Sequence, residues 1–530
     1  MRATTLESIP QEVLENIVFF AVNSSPLGPP RELASLLLVN RRFHASFSPA
    51  SNPHLHARIF AAKFDTAALA RRLGPSAVTA PKLAAELRRR CALLARLRAS
   101  VGCTVDFSVR ALHEMLWMAY LMMLENEGKN ERQLREYARL DGWLRKFWFA
   151  EDGASCAQLA IRDNAWPPNN DLSAVTMWLF WFLLRPEEYF ALDDAEFRNV
   201  TSILKLLALG AHQYPVCRPA WVDFVPNHSV GHSAVPPAYA EYPSLSPPPL
   251  TAPAVLSYLS LAQRPSNDAD ALEPMSPLVP SSVSPKVRMS SEWDCEWERC
   301  KRLAGNDAPT PECPSGTFKP STMEGVWEGL FTYTEFSAYA AMLSGAPPPT
   351  LKKSVVARHQ QTWRLHEYHL LLPEDQGNSA EAAAVLEDPR YKPLSPGDPL
   401  RAYLPSGLTI ERDHEGIRVY EPSRALDTFY HRCPAPEQLT AAYAKRVREI
   451  LIAGEGHSAW GQFALIGRVR PGDGFVTLSK EYLDGDRGKW LYRGYFVGDA
   501  YGNFTGRWRD TLSPAEVLGY EGCFFMGRRR

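Results

Sequence analysis

A chain of 530 residues with 45% hydrophobic content and 11% aromatics is long enough for roughly two to four domains with ordinary buried cores. Its formal charge of -1 at pH 7 gives no overall pull toward nucleic acid or anionic lipid, so neither a nucleic-acid nor a membrane partner is expected. The nine cysteines form no C-x-x-C pair and are odd in number, which suits reduced thiols in the cytoplasm or nucleus.

Residues 1–65 read as a compact helical unit. Glu7, Glu12 and Glu15 interrupt the apolar positions at the start, whereas a signal peptide needs an unbroken apolar core. A helix starts at Pro10, whose fixed φ and missing N–H suit a first turn. Ile9, Val13, Leu14, Ile17 and Phe20 then form an apolar stripe, and Leu33, Leu36, Leu37, Val39 and Phe43 form a second. So short a unit cannot bury all of these alone, and another chain or domain should cover some of them.

The order of residues in this unit is Leu6, Ile9-Pro10, Glu12, Val13-Leu14, Ile17, then Leu33, Leu36, Val39 and Arg41-Arg42-Phe43. It resembles the F-box, with Ile9 in place of a leucine and residues 23–30 lengthening the connection between helices. The resemblance implies docking onto a Skp-family adaptor, and through it a cullin, by Ile9, Pro10, Val13, Leu14, Ile17, Leu36, Val39 and Phe43. The protein would then be a substrate receptor of an SCF-type ubiquitin ligase, with no catalytic residue and no cofactor of its own.

Residues 66–225 read as a helix-rich region. Leu83, Leu87, Cys91 and Leu94 recur at helical spacing, as do Phe197, Val200, Ile203, Leu204 and Leu207. The apolar run Ala174 to Leu184 lies between Asp171 and Arg185 and falls short of the ~18 to 20 residues that span a bilayer. It reads as a buried helix. Residues 226–316 read as a largely disordered linker, because twelve prolines stand between Pro236 and Pro285 and prolines deny helices and sheets their hydrogen bonds. Cys295, Cys300 and Cys313 lack a fourth ligand and a nearby histidine, so no metal is expected there.

From 317 to 530 the period changes to two, the signature of strands. Trp327, Gly329, Phe331 and Tyr333 alternate with Val326, Glu328, Leu330 and Thr332. Strands at 463–469 and 475–482 flank Pro471-Gly472-Asp473-Gly474, a hairpin signal. A second hairpin joins "WLYRGYFV" to "NFTGRW", and 373–398 reads as an inserted loop. The fold expected is therefore α+β and multidomain: a helical F-box, a helix-rich middle, a linker and an antiparallel β-barrel or sandwich. Gly325-Val326-Trp327 at the first strand and Gly506-Arg507-Trp508 near the last resemble calycin (lipocalin-like) barrels and the barrel domains of some F-box-only proteins. That implies a recognition module binding a protein target.

Candidate contacts of the barrel are Trp327, Tyr333, Lys480, Arg507 and Arg509. Lys480 shares a face with Val476, Leu478 and Tyr482, and either snorkels from the rim or awaits an anionic partner. Arg507 and Arg509 should point outward, into solvent or toward an acidic peptide. The other classes carry less. Ser458 in Gly456-His457-Ser458-Ala459-Trp460 precedes a strand, whereas a hydrolase elbow needs a helix after its serine. His113-Glu114 lacks the second histidine of a zinc helix. His366 and His369 project from opposite faces of a strand. The alternative to a ligase receptor is a barrel that binds a small ligand.

Overall fold

In this computed structural model, the residues described are 9–104, 109–218, 220–225, 244–264, 275–280, 289–305, 316–374, 385, 387–485, 487–499 and 502–529. Leu6, Cys313, much of the expected linker and part of the 373–398 loop lie outside them. The chain divides into two compact units. Described residues up to Cys156, with 289–291, make the first, and those from Ala157 to 280 and from Glu292 onward make the second.

The first unit is helical. Helix α1, Gln11–Val22, starts directly after Pro10, and the second apolar run breaks into α2, Arg31–Leu37, and α3, Arg41–Phe47. The break falls at Asn40, whose side chain accepts the Phe43 N–H at 2.8 Å and caps α3. Asn52 caps α4, Pro53–Lys63, in the same way through Leu55 N–H at 3.0 Å. Helix α5 is Ala67–Leu73, and α6, Ala80–Arg98, buries Leu83, Leu87 and Leu94, as their spacing predicts.

This unit runs on past residue 65, because α4 packs on α6. Arg90 of α6 lies 5.0 Å from the Phe60 ring centre and bonds Glu125 at 2.7 Å. Arg90 and Glu125 are both buried, so the pair is costly to break from either side.

The second unit joins helices to one eleven-stranded sheet. The strands are β1 Gly325–Thr334, β2 Val356–Leu371, β3 Thr409–Arg412, β4 Gly416–Glu421, β5 Leu426–Arg432 and β6 Val447–Ser458. They continue with β7 Gly461–Val469, β8 Val476–Tyr482, β9 Lys489–Val497, β10 Asn503–Asp510 and β11 Glu521–Arg528.

The sheet order is β1-β11-β10-β9-β8-β7-β6-β2, and β1 also pairs with β2, closing an eight-stranded antiparallel barrel. With β3 to β5 set aside, every barrel strand neighbours its successor in the chain, the up-and-down connectivity. Strands β5, β4 and β3 extend from β2, where Tyr368 pairs with Arg432 and His369 with His431. Sequence periodicity missed this extension. β3 is exposed throughout, and in β5 a buried position is held by Thr428 while Phe429 is only half-buried, so residue type does not follow the alternation of the strand.

Both expected hairpins are present. Val469 pairs with Val476 across the first, with Gly474 at a φ of 73° in the left-handed region that glycine favours. Val497 pairs with Asn503 across the second. At the centre of the barrel wall, Gly494 of β9 faces Gly506 of β10. A Cβ on Gly494 would meet Thr505 O at 2.0 Å, so these strands approach as only glycine allows.

Helices cover the outside of this wall. The expected buried helix is Asp171–Leu183, buried from Ser173 onward. Helix Asp194–Leu209 buries Val200, Ile203, Leu204 and Leu207. The reading of 226–316 as linker fails over Thr251–Leu261, which is a helix buried along its whole length and packed against β9, β10 and β11. Pro253 stands in its first turn, where no intrahelical N–H bond is lost, and Ala254 to Leu261 supplies the apolar surface that drives burial.

Candidate functional site

Two places collect the residues singled out by sequence. In the first unit, α1 turns Leu14, Val18 and Val22 inward and leaves Val13, Ile17 and Phe20 outward, at 47%, 49% and 71% exposure. Leu38 and Val39, just after α2, are exposed as well, while Phe43 is buried. The eight adaptor positions therefore split. Leu14 and Phe43 are core, Pro10, Val13, Ile17 and Val39 are exposed, and Ile9 and Leu36 are half-buried. Phe20 and Leu38 are likewise exposed apolar side chains and were not among the eight.

In the second unit, the barrel positions are not one cluster. Trp327 sits near one end of the barrel, donating Nε1–H to Met323 O at 3.0 Å, beside Phe496 and under the Arg528 guanidinium. Tyr333 lies six residues along the same strand, roughly 20 Å away at the rise of a β-strand. There it joins Phe331, His359, Trp460, Trp508 and Tyr520 in an aromatic group at the opposite mouth.

Lys480 lies beneath this mouth. It does not snorkel: the residue is 2% exposed. Its Nζ is 3.8 Å from the Phe463 ring centre, 4.8 Å from Tyr482, 5.2 Å from Phe331 and 5.5 Å from Tyr492. Its hydrogen bond goes to Gln361 Oε1 at 3.4 Å, and Tyr492 OH donates to the same oxygen at 3.3 Å. Among the described residues no acidic side chain pairs with it, and Gln361 Nε2 is buried without a partner. Burial lowers the ammonium from its ordinary range to about 7, because a charge in an apolar box loses its hydration. Snorkelling fails because Lys480 faces inward and its Nζ is held among the Phe463, Tyr482, Phe331 and Tyr492 rings.

Arg507 and Arg509 do leave the barrel interior, but they are buried rather than solvated. Arg507 Nη2 donates to Ala208 O at 2.9 Å and Nη1 to Tyr214 O, so it ties the covering helical layer to the wall. Arg509 Nη2 donates to Ser513 O at 3.0 Å. Neither guanidinium is presented to a peptide in this structure. Sequence alternation gave their direction correctly, but it carries no information on what lies above the strand.

Ser458 ends β6 and enters a tight turn to β7, its Oγ 3.2 Å from Tyr482 OH. A strand follows, so it is not an elbow. Sequence reasoning set aside the histidines of β2. His366 indeed turns to Glu324 at 2.6 Å, on the opposite face from His369.

His369, Glu367 and Cys433 bring ligand-type atoms within 4.8 Å of one another. Glu367 already accepts Ser321 N–H at 2.7 Å and Met323 N–H and bonds His369 Nε2 at 3.0 Å, while His369 Nδ1 meets Tyr443 OH at 2.9 Å. Burial, then the Glu367 and Glu324 charges, push the Cys433 thiol up to about 12. This network anchors the turn before β1 to β2.

On the outside of the barrel a hollow of about 320 Å³ lies among Val326, Arg364, Glu455, His457 and Leu483. Among the described residues no helix is long and apolar enough to cross a membrane. No protein-family model, curated protein or solved structure matches this chain.

Proposed function

We propose that this protein is the substrate-recognition subunit of an SCF-type cullin-RING ubiquitin ligase. Val13, Ile17, Phe20, Leu38 and Val39 dock a Skp-family adaptor, and the β-barrel unit holds the protein destined for modification. The observation that carries this reading is the split on α1. Positions at i, i+4 and i+7 are apolar and exposed while the opposite stripe is core, and exposed apolar surface of this kind marks a partner site. The order of residues that resembles an F-box supplies the identity of the partner.

The up-and-down barrel with Trp327 near one end supports the likeness to calycin-type recognition modules. Its target would meet the mouth around Trp460 or the outer hollow beside His457 and Arg364. The protein carries out no chemistry on its target in this reading.

The test is a pull-down of a recombinant Skp-family adaptor by the full chain and by the Ile17→Asp variant. Binding by the native chain that is lost in the variant is expected. Equal capture by both, or by neither, would overturn the reading.

A further inference from the structure

We propose that Lys480 is a carbonyl-capturing amine. An apolar aldehyde or ketone entering the barrel mouth forms a reversible imine with its Nζ. The inference rests on the barrel mouth alone and is independent of adaptor docking.

The argument starts from what the box around Lys480 accepts. Ring faces of Phe463, Tyr482, Phe331 and Tyr492 stand 3.8 to 5.5 Å from Nζ. Aromatic faces carry negative quadrupole charge, so they repel a carboxylate or phosphate and favour a cation or a neutral group. No acidic side chain balances the lysine among the described residues, and burial brings its proton affinity to about 7. A large share of the amine is therefore unprotonated near neutral pH and nucleophilic, the condition for imine formation by a desolvated lysine.

Gln361 completes the arrangement. Its Oε1 faces Nζ at 3.4 Å, and the Nε2 on the same amide is a buried donor with no partner. A buried orphan donor costs about 1 to 3 kcal/mol, and a carbonyl oxygen held beside Nζ would relieve it.

The step balances without an oxidant or reductant. The Nζ lone pair adds to the carbonyl carbon, and a C–N bond forms as the C–O π bond opens. The carbinolamine oxygen then leaves as water with both amine hydrogens, giving a C=N bond. When protonated, the imine is again a cation at the position of the ammonium, so the ring faces that hold Lys480 hold the product. In this proposal the carbonyl compound enters past the half-buried rings of Trp460 and His359, which stand 4.4 Å apart by ring centres at the mouth.

The experiment treats the full chain at pH 7 with hexanal or benzaldehyde and sodium cyanoborohydride, then maps reduced adducts by peptide mass spectrometry. At low aldehyde the expected result is at least tenfold more adduct on Lys480 than on the exposed Lys352 or Lys353, none at position 480 in Lys480→Met, and severalfold faster capture in Trp460→Ala. Circular dichroism of each variant checks folding. Adduct on Lys480 no greater than on Lys352 would overturn the proposal. So would capture seen only in Trp460→Ala, since the native mouth would then exclude carbonyl compounds.

Discussion

The Nζ of Lys480 on β8 stands 3.8 Å above the Phe463 ring of β7, inside a closed barrel, where burial alone lowers its proton affinity to about 7. An amine so placed makes stability depend on pH in a defined direction. Below about 7 the folded and unfolded chains both hold the proton. Between about 7 and the ordinary 10.5, the unfolded chain alone holds it. Unfolding then takes up a proton, so stability rises with pH, by at most about 1.4 kcal/mol per unit.

The difference in urea-unfolding free energy between the native chain and Lys480→Met isolates this contribution. From pH 7 to pH 9 it should shift by about 2 kcal/mol in favour of the native chain. A difference that stays flat over that range would show that Lys480 is not desolvated.

Neighbouring residues of α1 should respond oppositely to the same change. Ile17 is 49% exposed and Leu14 is buried. Ile17→Asp should leave the melting temperature within a few degrees of native while abolishing adaptor capture, since a charge on a free surface costs little folding energy but is buried unpaired in a docked complex. Leu14→Asp should lose several kcal/mol and unfold the first unit. Thermal melts run beside the pull-down separate the two, and unfolding by Ile17→Asp would place that residue in the core.

The facing glycines of β9 and β10 set the wall spacing. Gly494→Ala places a methyl 2.0 Å from Thr505 O, a backbone atom fixed by the ladder. A loss of about 3 kcal/mol is expected. Gly485→Ala is a contrasting case, because its Cβ meets nothing within 4 Å and the cost is only the strain of a φ of 75°. Chemical denaturation of both variants checks the order.

Arg507 links the covering layer to the barrel through carbonyls rather than through a carboxylate. Arg507→Ala strands those carbonyls in a buried site and should cost about 2 to 4 kcal/mol. Arg507→Lys should recover only part of this, because a single ammonium cannot reach both Ala208 and Tyr214 as the planar fork does. Neither change should alter aldehyde capture at Lys480, which the adduct assay reads directly.

Much of the barrel was legible because its signals are local. Period-two alternation through Trp327, Phe331 and Tyr333, the glycine at 474 and the hairpin spacing each depend on a few adjacent residues. The helical stripes at Leu83 to Leu94 and Val200 to Leu207 were legible for the same reason. The helix Thr251–Leu261 was hidden by the prolines around it. Proline density is an average, whereas a helix needs only eleven suitable residues in a row and one proline placed in its first turn.

What the sequence determined by itself is the direction of strand side chains, Arg507 outward from the barrel and Lys480 inward, whereas it grouped Ile17 and Leu14 in one apolar stripe that the structure divides between surface and core. What each side chain meets was decided only by the tertiary structure. A helical layer covers Arg507, four aromatic rings desolvate Lys480, and Trp327 and Tyr333 stand near opposite ends of one barrel. Backbone period fixes orientation within a few residues, but burial, proton affinity and access come from segments tens to hundreds of residues away, brought together by folding.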